Sequence, residues 1–302
     1  MADRAGLRKS TQTVRRACAV MVRMTEAIAE RVRRYILDGN DRDLRRLLSI
    51  AQEAADMSRA AFRRVGVQPG WSAIDCGCGP IGAIAVIAEM VGPDGRIVGV
   101  DFNRSAVEQA RAVTSSLGIT NVDLVEGDLN DLDPVTLGAP FDVAYTRLFL
   151  MHQPDPVQTL RRIAALLRPG GVLIAQEPLR TPPPRSHPDV DALTGYWALL
   201  HRLLERAGVT PDLVENLPAY AREAGLEVTA MSGYFQPMPP EVGFEIHANT
   251  VAAARERAVR SGVATEREID DLIADLRAAR TAGHGWVSSP FFLDLTLRKP
   301  VA

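Results

Sequence analysis

A glycine-rich segment and an acidic residue beyond it are the part of the sequence best suited to bind a ligand. The segment contains Gly77, Gly79 and Gly82, and the apolar run before it is typical of a β-strand. Glycine lets the main chain turn sharply, and the helix expected from Gly82 to Val91 directs free N–H groups at the same place. Asp101 ends the next predicted strand, 22 residues after Gly79, where a carboxylate can accept hydrogen bonds from both hydroxyls of a ribose. The pattern therefore predicts a nucleoside ligand.

The glycine spacing alone does not identify the nucleoside. Gly77-x-Gly79-x-x-Gly82 also satisfies the dinucleotide fingerprint, and a purely structural turn is a further interpretation. Asp75 stands just before the first glycine, and Pro80 follows the second. A carboxylate there would repel a pyrophosphate, but it suits a cofactor that carries a sulfonium and an ammonium group. The phrase Asp-Cys-Gly-Cys-Gly-Pro resembles motif I of the class I S-adenosylmethionine-dependent methyltransferases.

The resemblance covers residues 71–177 and implies that the cofactor is S-adenosylmethionine, bound where successive strands end. It implies the following cofactor-binding residues: Asp75, Gly77, Gly79, Asp101, Phe102, Gly127, Asp128, Leu129 and Arg147. Among them, Asp101 corresponds to the ribose-binding acid, and Asp128 to the acid that meets the adenine amino group, with Leu129 beside the ring. Each acid alone could be a helix N-cap, but acids that end three successive strands at one edge of a sheet favour a binding site.

His152, just beyond the fourth predicted strand, is the candidate catalytic residue and a candidate substrate-binding residue. A neutral imidazole could take the proton from a phenol, a carboxylic acid or a carbon centre as the methyl group arrives. The alternative is that His152 only holds its loop, since in-line methyl transfer can proceed by positioning alone. Tyr35, Trp197 and Tyr234 are the other candidate substrate contacts, although packing in the core also explains such aromatic residues.

Alternating strand and helix patterns in the middle of the chain predict an α/β fold with a parallel sheet covered on both faces. The resemblance makes this a Rossmann-like, seven-stranded, mostly parallel sheet with an antiparallel edge strand, an N-terminal helical preface and a helical cap. Four parts are expected, namely a basic N-terminal arm, the preface, the cofactor-binding core, and the cap with the last two strands. Their bounds are residues 1–24, 25–68, 69–180 and 181–302.

The expected elements have definite bounds. Strands are predicted at Ser72–Cys76, Arg96–Phe102, Val122–Gly127, Phe141–Arg147, Gly171–Glu177, Glu227–Phe235 and Ser289–Arg298. Helices are predicted at Asp41–Val65, Gly82–Val91, Arg104–Leu117, Pro156–Leu167, Val190–Ala207, Asp212–Ala224, Phe244–Arg260 and Thr265–Ala279.

Composition limits the class of protein. With 302 residues, 46% of them hydrophobic, and a net charge of −2, the chain lacks the basic footprint of a nucleic-acid-binding protein. Three cysteines make no disulfide framework, which favours a cytoplasmic location, and no apolar run is long enough to cross a membrane. Histidine, cysteine and acidic residues show no metal-ligand spacing, so no metal is predicted. The basic N-terminal arm suggests a homodimer.

The expected function is transfer of a methyl group from S-adenosylmethionine to a small aromatic or hydrophobic acceptor. Oxygen or carbon is the expected target atom, for example an indole-type carbon, in bacterial secondary (natural-product) metabolism. No Asn/Asp-Pro-Pro-Tyr/Phe follows the fourth strand, which disfavours methylation of nucleobase amino groups. One alternative is a protein of the same fold that binds the cofactor and acts as a cyclase or a regulator. A nicotinamide-dependent oxidoreductase is a remote alternative, because neither Lys9 nor Lys299 completes the Tyr-x-x-x-Lys pair of the short-chain enzymes.

Overall fold

The computed structural model describes residues 41–208, 212–281 and 285–301, without the side chains of residues 41–49. The predicted N-terminal arm, from which the homodimer was inferred, and the candidate contact Tyr35 lie outside these residues. The strands are β1 (Ser72–Cys76), β2 (Arg96–Asp101), β3 (Val122–Glu126), β4 (Phe141–Arg147), β5 (Leu167–Pro178), β6 (Ser186–His187), β7 (Glu227–Tyr234), β8 (Pro237–Met238), β9 (Trp286–Ser288) and β10 (Phe292–Arg298). The helices are α1 (Asp41–Val65), α2 (Ile84–Val91), α3 (Arg104–Ser116), α4 (Pro156–Leu166), α5 (Asp191–Arg206), α6 (Leu217–Glu223), α7 (Pro240–Arg260) and α8 (Glu266–Ala279).

A seven-stranded sheet forms the centre of the fold, with the strand order β3-β2-β1-β4-β5-β10-β7. The first five strands in this order are parallel to one another, and β10 runs antiparallel to both of its neighbours. The predicted α/β class and the mostly parallel seven-stranded sheet are confirmed. The antiparallel strand lies one place in from the edge, which β7 occupies.

The central strands are buried on both faces, as a parallel sheet between two layers of helices requires. Adjacent residues of β1 show this directly, because Ala73 and Ile74 are both fully buried but belong to two different hydrophobic clusters. Their side chains point to opposite faces, following the two-residue period of a strand. The continuous apolar character of these segments thus explains their place in the middle of the sheet.

Capping side chains fix where several helices begin. The side-chain oxygen of Asn103 accepts a hydrogen bond from the N–H of Ser105 at 3.0 Å at the start of α3, and Asp155 does the same for Gln158 at 2.9 Å at the start of α4. Thr265 and Glu268 form a reciprocal capping box at α8. Since α3 and α4 follow β2 and β4, these caps fix the chain close to the carboxyl ends of those strands.

The C-terminal part builds a second core beside the sheet. Helices α5, α7 and α8 share a hydrophobic cluster, and a small antiparallel sheet of order β6-β9-β8 closes one side of it. This small sheet was not predicted, since strands of two or three residues show no periodicity. Residues 212–226, which include α6, pack on the main hydrophobic core instead. We call residues 181–208, 212–226, 236–281 and 285–291 together the helical cap. Within the residues that the structure describes, no helix has the length and apolar character needed to cross a membrane.

Candidate active site

The ends of three parallel strands meet at one edge of the sheet. Strand β2 lies between β1 and β3, so the loop after β1, the end of β2 and the loop after β3 are neighbours. Main-chain hydrogen bonds connect them: the N–H of Gly77 donates to the carbonyl of Val100 at 2.8 Å, and the N–H of Gly127 donates to the carbonyl of Asp101 at 3.0 Å. Strand order therefore brings the glycine loop, Asp101 and Asp128 to the same edge.

The carboxylate of Asp101 is held in a fixed orientation toward the glycine loop. One oxygen accepts a hydrogen bond from the N–H of Gly79 at 2.8 Å, and the other accepts from the N–H of Asn103 at 2.9 Å. An ionised carboxylate offers about four lone-pair positions, so two remain for a ligand. This arrangement suits a pair of vicinal hydroxyls, as on a ribose.

Gly77 and Gly79 have left-handed backbone angles, with φ of +74° and +55°, but their surroundings differ. A Cβ on Gly77 would overlap the ring of Phe149, whereas a Cβ on Gly79 would meet no atom within 4 Å. Gly77 is therefore required for packing of the loop after β4. Gly79 borders open space next to Asp101, where a bulky ligand can lie against bare main chain.

This difference gives a paired prediction. Gly77→Ala is expected to lower the free energy of unfolding by about 3 kcal/mol, because αL strain adds to overpacking against Phe149. Gly79→Ala is expected to cost only about 1 kcal/mol but to weaken binding of S-adenosylhomocysteine about tenfold, because its methyl group enters the ligand space. Urea unfolding and calorimetry measure the two effects. Binding by Gly79→Ala that equals the wild type would show that the ligand does not approach this glycine.

Asp75 holds the end of the glycine loop, residues 77–83, in place through its side chain. Its side chain is buried, and one oxygen accepts a hydrogen bond from the N–H of Ala83 at 2.9 Å, just before α2. Burial raises the pKa of Asp75 to about 6, an effect that the hydrogen bond from Ala83 and the positive charge of Arg147 oppose. Arg147 itself donates to the carbonyl of Gly82 at 3.3 Å and to Ser58 Oγ at 3.4 Å. A contact of Asp75 with the methionine part of the cofactor stays a prediction.

The residues after β2 and β3 differ in how accessible they are. Phe102 is 78% exposed, and Asp128 is exposed while one of its oxygens accepts a hydrogen bond from the N–H of Asn130 at 2.8 Å. Both side chains are open to a ligand at this edge. Leu129, expected beside the adenine ring, is 3% exposed and packs in the main hydrophobic core. Its side chain therefore contributes to packing at this edge.

A cavity of about 550 Å³ opens next to Arg147. Its floor comes from Arg147, the last residue of β4, and from Leu148, Met151 and His152 after it. Its walls come from α1, the edge strand β7 and the helical cap. The candidate substrate contacts Trp197 and Tyr234 also line it. The lining is mostly apolar with a few polar groups, and the volume lies in the range of small-molecule sites, about 300–1,000 Å³.

His152 ends a short 3₁₀ turn, Leu150–His152, on the cavity floor. Its side chain lines the cavity and is solvent-exposed in part. Burial, with a smaller effect from the charge of Arg257, lowers the pKa of His152 below its ordinary value. The imidazole is therefore neutral at pH 7 and able to accept a proton.

Glu177 is a functional candidate that the sequence reasoning missed. This buried carboxylate, near the end of β5, accepts hydrogen bonds from the N–H groups of Phe149 at 3.1 Å, Leu150 at 2.9 Å and Met151 at 3.4 Å. Burial raises its pKa to about 7. Glu177 thereby holds the segment that carries His152. The sequence signal that could have identified it is a carboxylate that follows the polar Gln176 at the end of an apolar run, Val172–Ala175.

A buried polar network attaches α1 to the sheet beside the cavity. The hydroxyls of Ser58 and Tyr145 are 2.8 Å apart, Tyr145 donates to Oε1 of Gln176 at 2.7 Å, and Nε2 of Gln176 donates to Asp294 at 3.0 Å. Because Ser58 also contacts Arg147, the network connects the helical preface to the cavity floor. In the part of the chain that the structure describes, no three His, Cys, Asp or Glu residues are grouped as metal ligands would be.

Comparison with known proteins agrees with this geometry. Residues 68–208 match the model of a family described as a methyltransferase domain. An uncharacterised 37.1 kDa protein in transposon TN4556 of Streptomyces fradiae is 32% identical over 263 residues, which are 84% of this chain and 69% of that protein. Trans-aconitate 2-methyltransferase of Azoarcus sp. strain BH72 is 31% identical over 179 residues, 59% of this chain and 64% of that enzyme. Other curated methyltransferases match over about half of their own length.

Among solved structures, the crystal structure of the cyclase SpnF shares the fold, with a TM-score of 0.53, 21% identity and coverage of 82% of both chains. The family match and the sheet order agree with the glycine loop and the carboxylates at the ends of the strands. Residues 68–208 of this chain are therefore a methyltransferase domain of the class I S-adenosylmethionine-dependent type.

Proposed function

We propose that this chain methylates a small aromatic or hydrophobic molecule bound in the cavity beside Arg147. The observation that carries the proposal is that one mostly apolar cavity is lined both by the segment after β4 and by the helical cap. The relative from Azoarcus acts on a small organic acid, which supports a small-molecule acceptor in general terms. The apolar lining favours an acceptor from natural-product metabolism, methylated on oxygen or on an electron-rich carbon.

Residues at the ends of the strands would bind the cofactor, and residues of the helical cap would bind the acceptor. Asp101 would hold the ribose hydroxyls, Asp128 the adenine amino group, and the main chain at Gly79 the methionine part. Bound there, S-adenosylmethionine supplies an electrophilic methyl group on a sulfonium. The cap would exclude water and hold the acceptor, so that positioning lowers much of the barrier.

The test is incubation of the purified protein with bacterial extracts and S-adenosylmethionine that carries a labelled methyl group, followed by mass spectrometry. We expect a labelled product to form together with an equal amount of S-adenosylhomocysteine. Conversion of a captured molecule without uptake of label would contradict methyl transfer and would favour the cyclase alternative.

His152 gives a separate prediction for the chemistry. If its imidazole takes a proton from the acceptor, His152→Gln is expected to lower kcat about 100-fold, within the usual range for general-base catalysis, with little change in KM. In the wild type, kcat should also fall as the pH drops through the lowered pKa of His152, and the variant should lack this fall. His187→Gln, at an exposed position in β6, is the control. Unchanged kcat in His152→Gln would leave this residue a structural role.

A further inference from the structure

Three residues that line the cavity each carry a buried polar atom that has no hydrogen-bond partner among the described residues. The atoms are Nε2 of His201 on α5, Oε2 of Glu215 in the turn before α6, and Nδ1 of His247 on α7. Buried polar groups in proteins are nearly always paired, and an unpaired one is costly. Three such atoms around one cavity point to a ligand that supplies the missing partners.

Glu215 carries an unpaired hydrogen-bond acceptor beside the cavity. Its Oε1 accepts from the main-chain N–H of Arg180 at 2.9 Å, which fixes the carboxylate in place. The guanidinium of Arg180 is paired with Glu205 at 2.8 Å. Oε2 of Glu215 has no donor among the described residues, and a carboxylate oxygen there can be satisfied by an O–H or N–H group of a ligand.

The two histidines are neutral, and they add further unpaired hydrogen-bonding atoms beside the cavity. Nε2 of His247 lies 3.0 Å from the carbonyl oxygen of Ser288, so the ring N–H donates there and Nδ1 is left as an acceptor. Burial lowers the pKa of His247 to about 4. Burial and the charge of Arg180 also lower the pKa of His201, whose ring lies edge-on to Trp197 with 4.6 Å between centroids. The unpaired atoms are thus at least two acceptors and one neutral ring nitrogen.

We infer that the methyl acceptor is a largely apolar molecule that carries a hydroxyl or amine group, and that this group donates a hydrogen bond to Oε2 of Glu215. His201 and His247 serve further polar groups on the same molecule. A carboxylate or phosphate at this position would meet like charge on Glu215 and would leave its lone pairs unsatisfied. The inference rests on the proposed function only for the role of the bound molecule as methyl acceptor.

The test must distinguish a neutral acceptor with a hydroxyl or amine group from an anionic acceptor. Arg257 also lines the cavity and is exposed, and an anionic acceptor would bind near this charge instead. A set of naphthalenes that differ in one substituent distinguishes the two cases: 2-naphthol, 2-naphthoate and naphthalene itself. Their Kd values would be measured by ligand-observed NMR on protein saturated with S-adenosylhomocysteine, so that no turnover is needed.

We expect 2-naphthol to bind at least tenfold more tightly than 2-naphthoate or naphthalene. Glu215→Gln should reduce this preference to less than threefold, whereas Glu256→Gln, on an exposed side chain of α7, should leave it unchanged. Glu215→Asp keeps the charge but draws both oxygens back by one carbon, so it should also reduce the preference for 2-naphthol, and it provides a second test should Glu215→Gln not fold.

Tighter binding of 2-naphthoate, binding of none of the three probes, or an unchanged preference in both folded variants would overturn the inference. The proposed function fails separately, since it is contradicted by absent binding of S-adenosylhomocysteine or absent uptake of labelled methyl groups, whatever the naphthalenes show.

Discussion

Asp101→Ala is expected to weaken binding of S-adenosylmethionine about 100-fold or more. A hydrogen bond to a charged group contributes about 1.5–3 kcal/mol, and loss of two ribose contacts therefore corresponds to factors of about 10² to 10⁴ in Kd. The N–H groups of Gly79 and Asn103 already orient the carboxylate in the wild type. Ordering of this side chain on cofactor binding therefore costs little free energy. Isothermal titration calorimetry with S-adenosylmethionine measures the effect directly.

Two further variants show whether the loss is specific. Asp101→Asn keeps one carbonyl oxygen and should fold like the wild type, but it should still bind at least tenfold more weakly. Asp94→Ala changes an exposed acid before β2, at the opposite edge of the sheet, and should bind like the wild type. Wild-type affinity in Asp101→Ala would show that the cofactor does not bind at the carboxyl ends of β1, β2 and β3. The assignment of the cofactor-binding residues would then be wrong.

The sheet could be predicted from the sequence because its strands carry strong local signals. The bounds predicted for β1 and β4 are those observed, since each is a short buried run between turn residues. The predicted bounds of α1, Asp41–Val65, also match, and other elements begin or end one to five residues away from the prediction. The last strand was expected from Ser289 but begins at Phe292, because Pro290 has no N–H to donate to the sheet.

The site could be predicted only where its residues share one strand end. Asp101 and Gly79 belong to a spacing that the sequence displays, and the structure joins them by a hydrogen bond. Leu129 is a different case, because a residue after a strand carries no local sign of which way its side chain points, and its place beside the adenine ring stays a prediction. Its side chain packs in the same hydrophobic cluster as residues of α4, and Arg162 of that helix donates to its carbonyl at 3.1 Å.

The polar part of the cavity could not be predicted at all. His201, Glu215 and His247 come from three segments that only the packing of the helical cap brings around one space. Along the sequence, each looks like an ordinary polar residue of an amphipathic helix or a turn. Cavities formed between distant segments have no local pattern, so their lining emerges only with the tertiary structure.

Glu177→Gln is expected to lower kcat about tenfold or more while S-adenosylhomocysteine affinity changes by less than about threefold. A glutamine has one acceptor oxygen in place of two, and its NH₂ group would oppose the N–H donors of Phe149, Leu150 or Met151. His152 follows this segment directly, and small shifts of a positioned group can cost large factors in rate. Asp101 has no hydrogen bond to the segment, so cofactor binding should be largely kept.

The same substitution changes how stability depends on pH. Glu177 has a pKa of about 7 in the folded chain, against 4.5 for a free glutamate side chain, because burial disfavours its charge. Between pH 4.5 and 7 the folded state keeps a proton that the unfolded state has lost, so the free energy of unfolding falls as the pH rises. The contribution is on the order of 3 kcal/mol at most, and Glu177→Gln should remove it.

Urea unfolding at pH 5 and pH 8 of the wild type, Glu177→Gln and Glu108→Gln would decide this point. Glu108 is an exposed acid on α3, and its variant should keep the wild-type difference between the two pH values. Asp75, with a pKa raised to about 6 by burial, adds a fall of the same sign in all three proteins, so only the difference between variants isolates Glu177. An unchanged pH dependence together with unchanged kcat in Glu177→Gln would mean that the segment after β4 holds its position without this carboxylate, and that packing of Phe149 on Gly77 is sufficient to place His152.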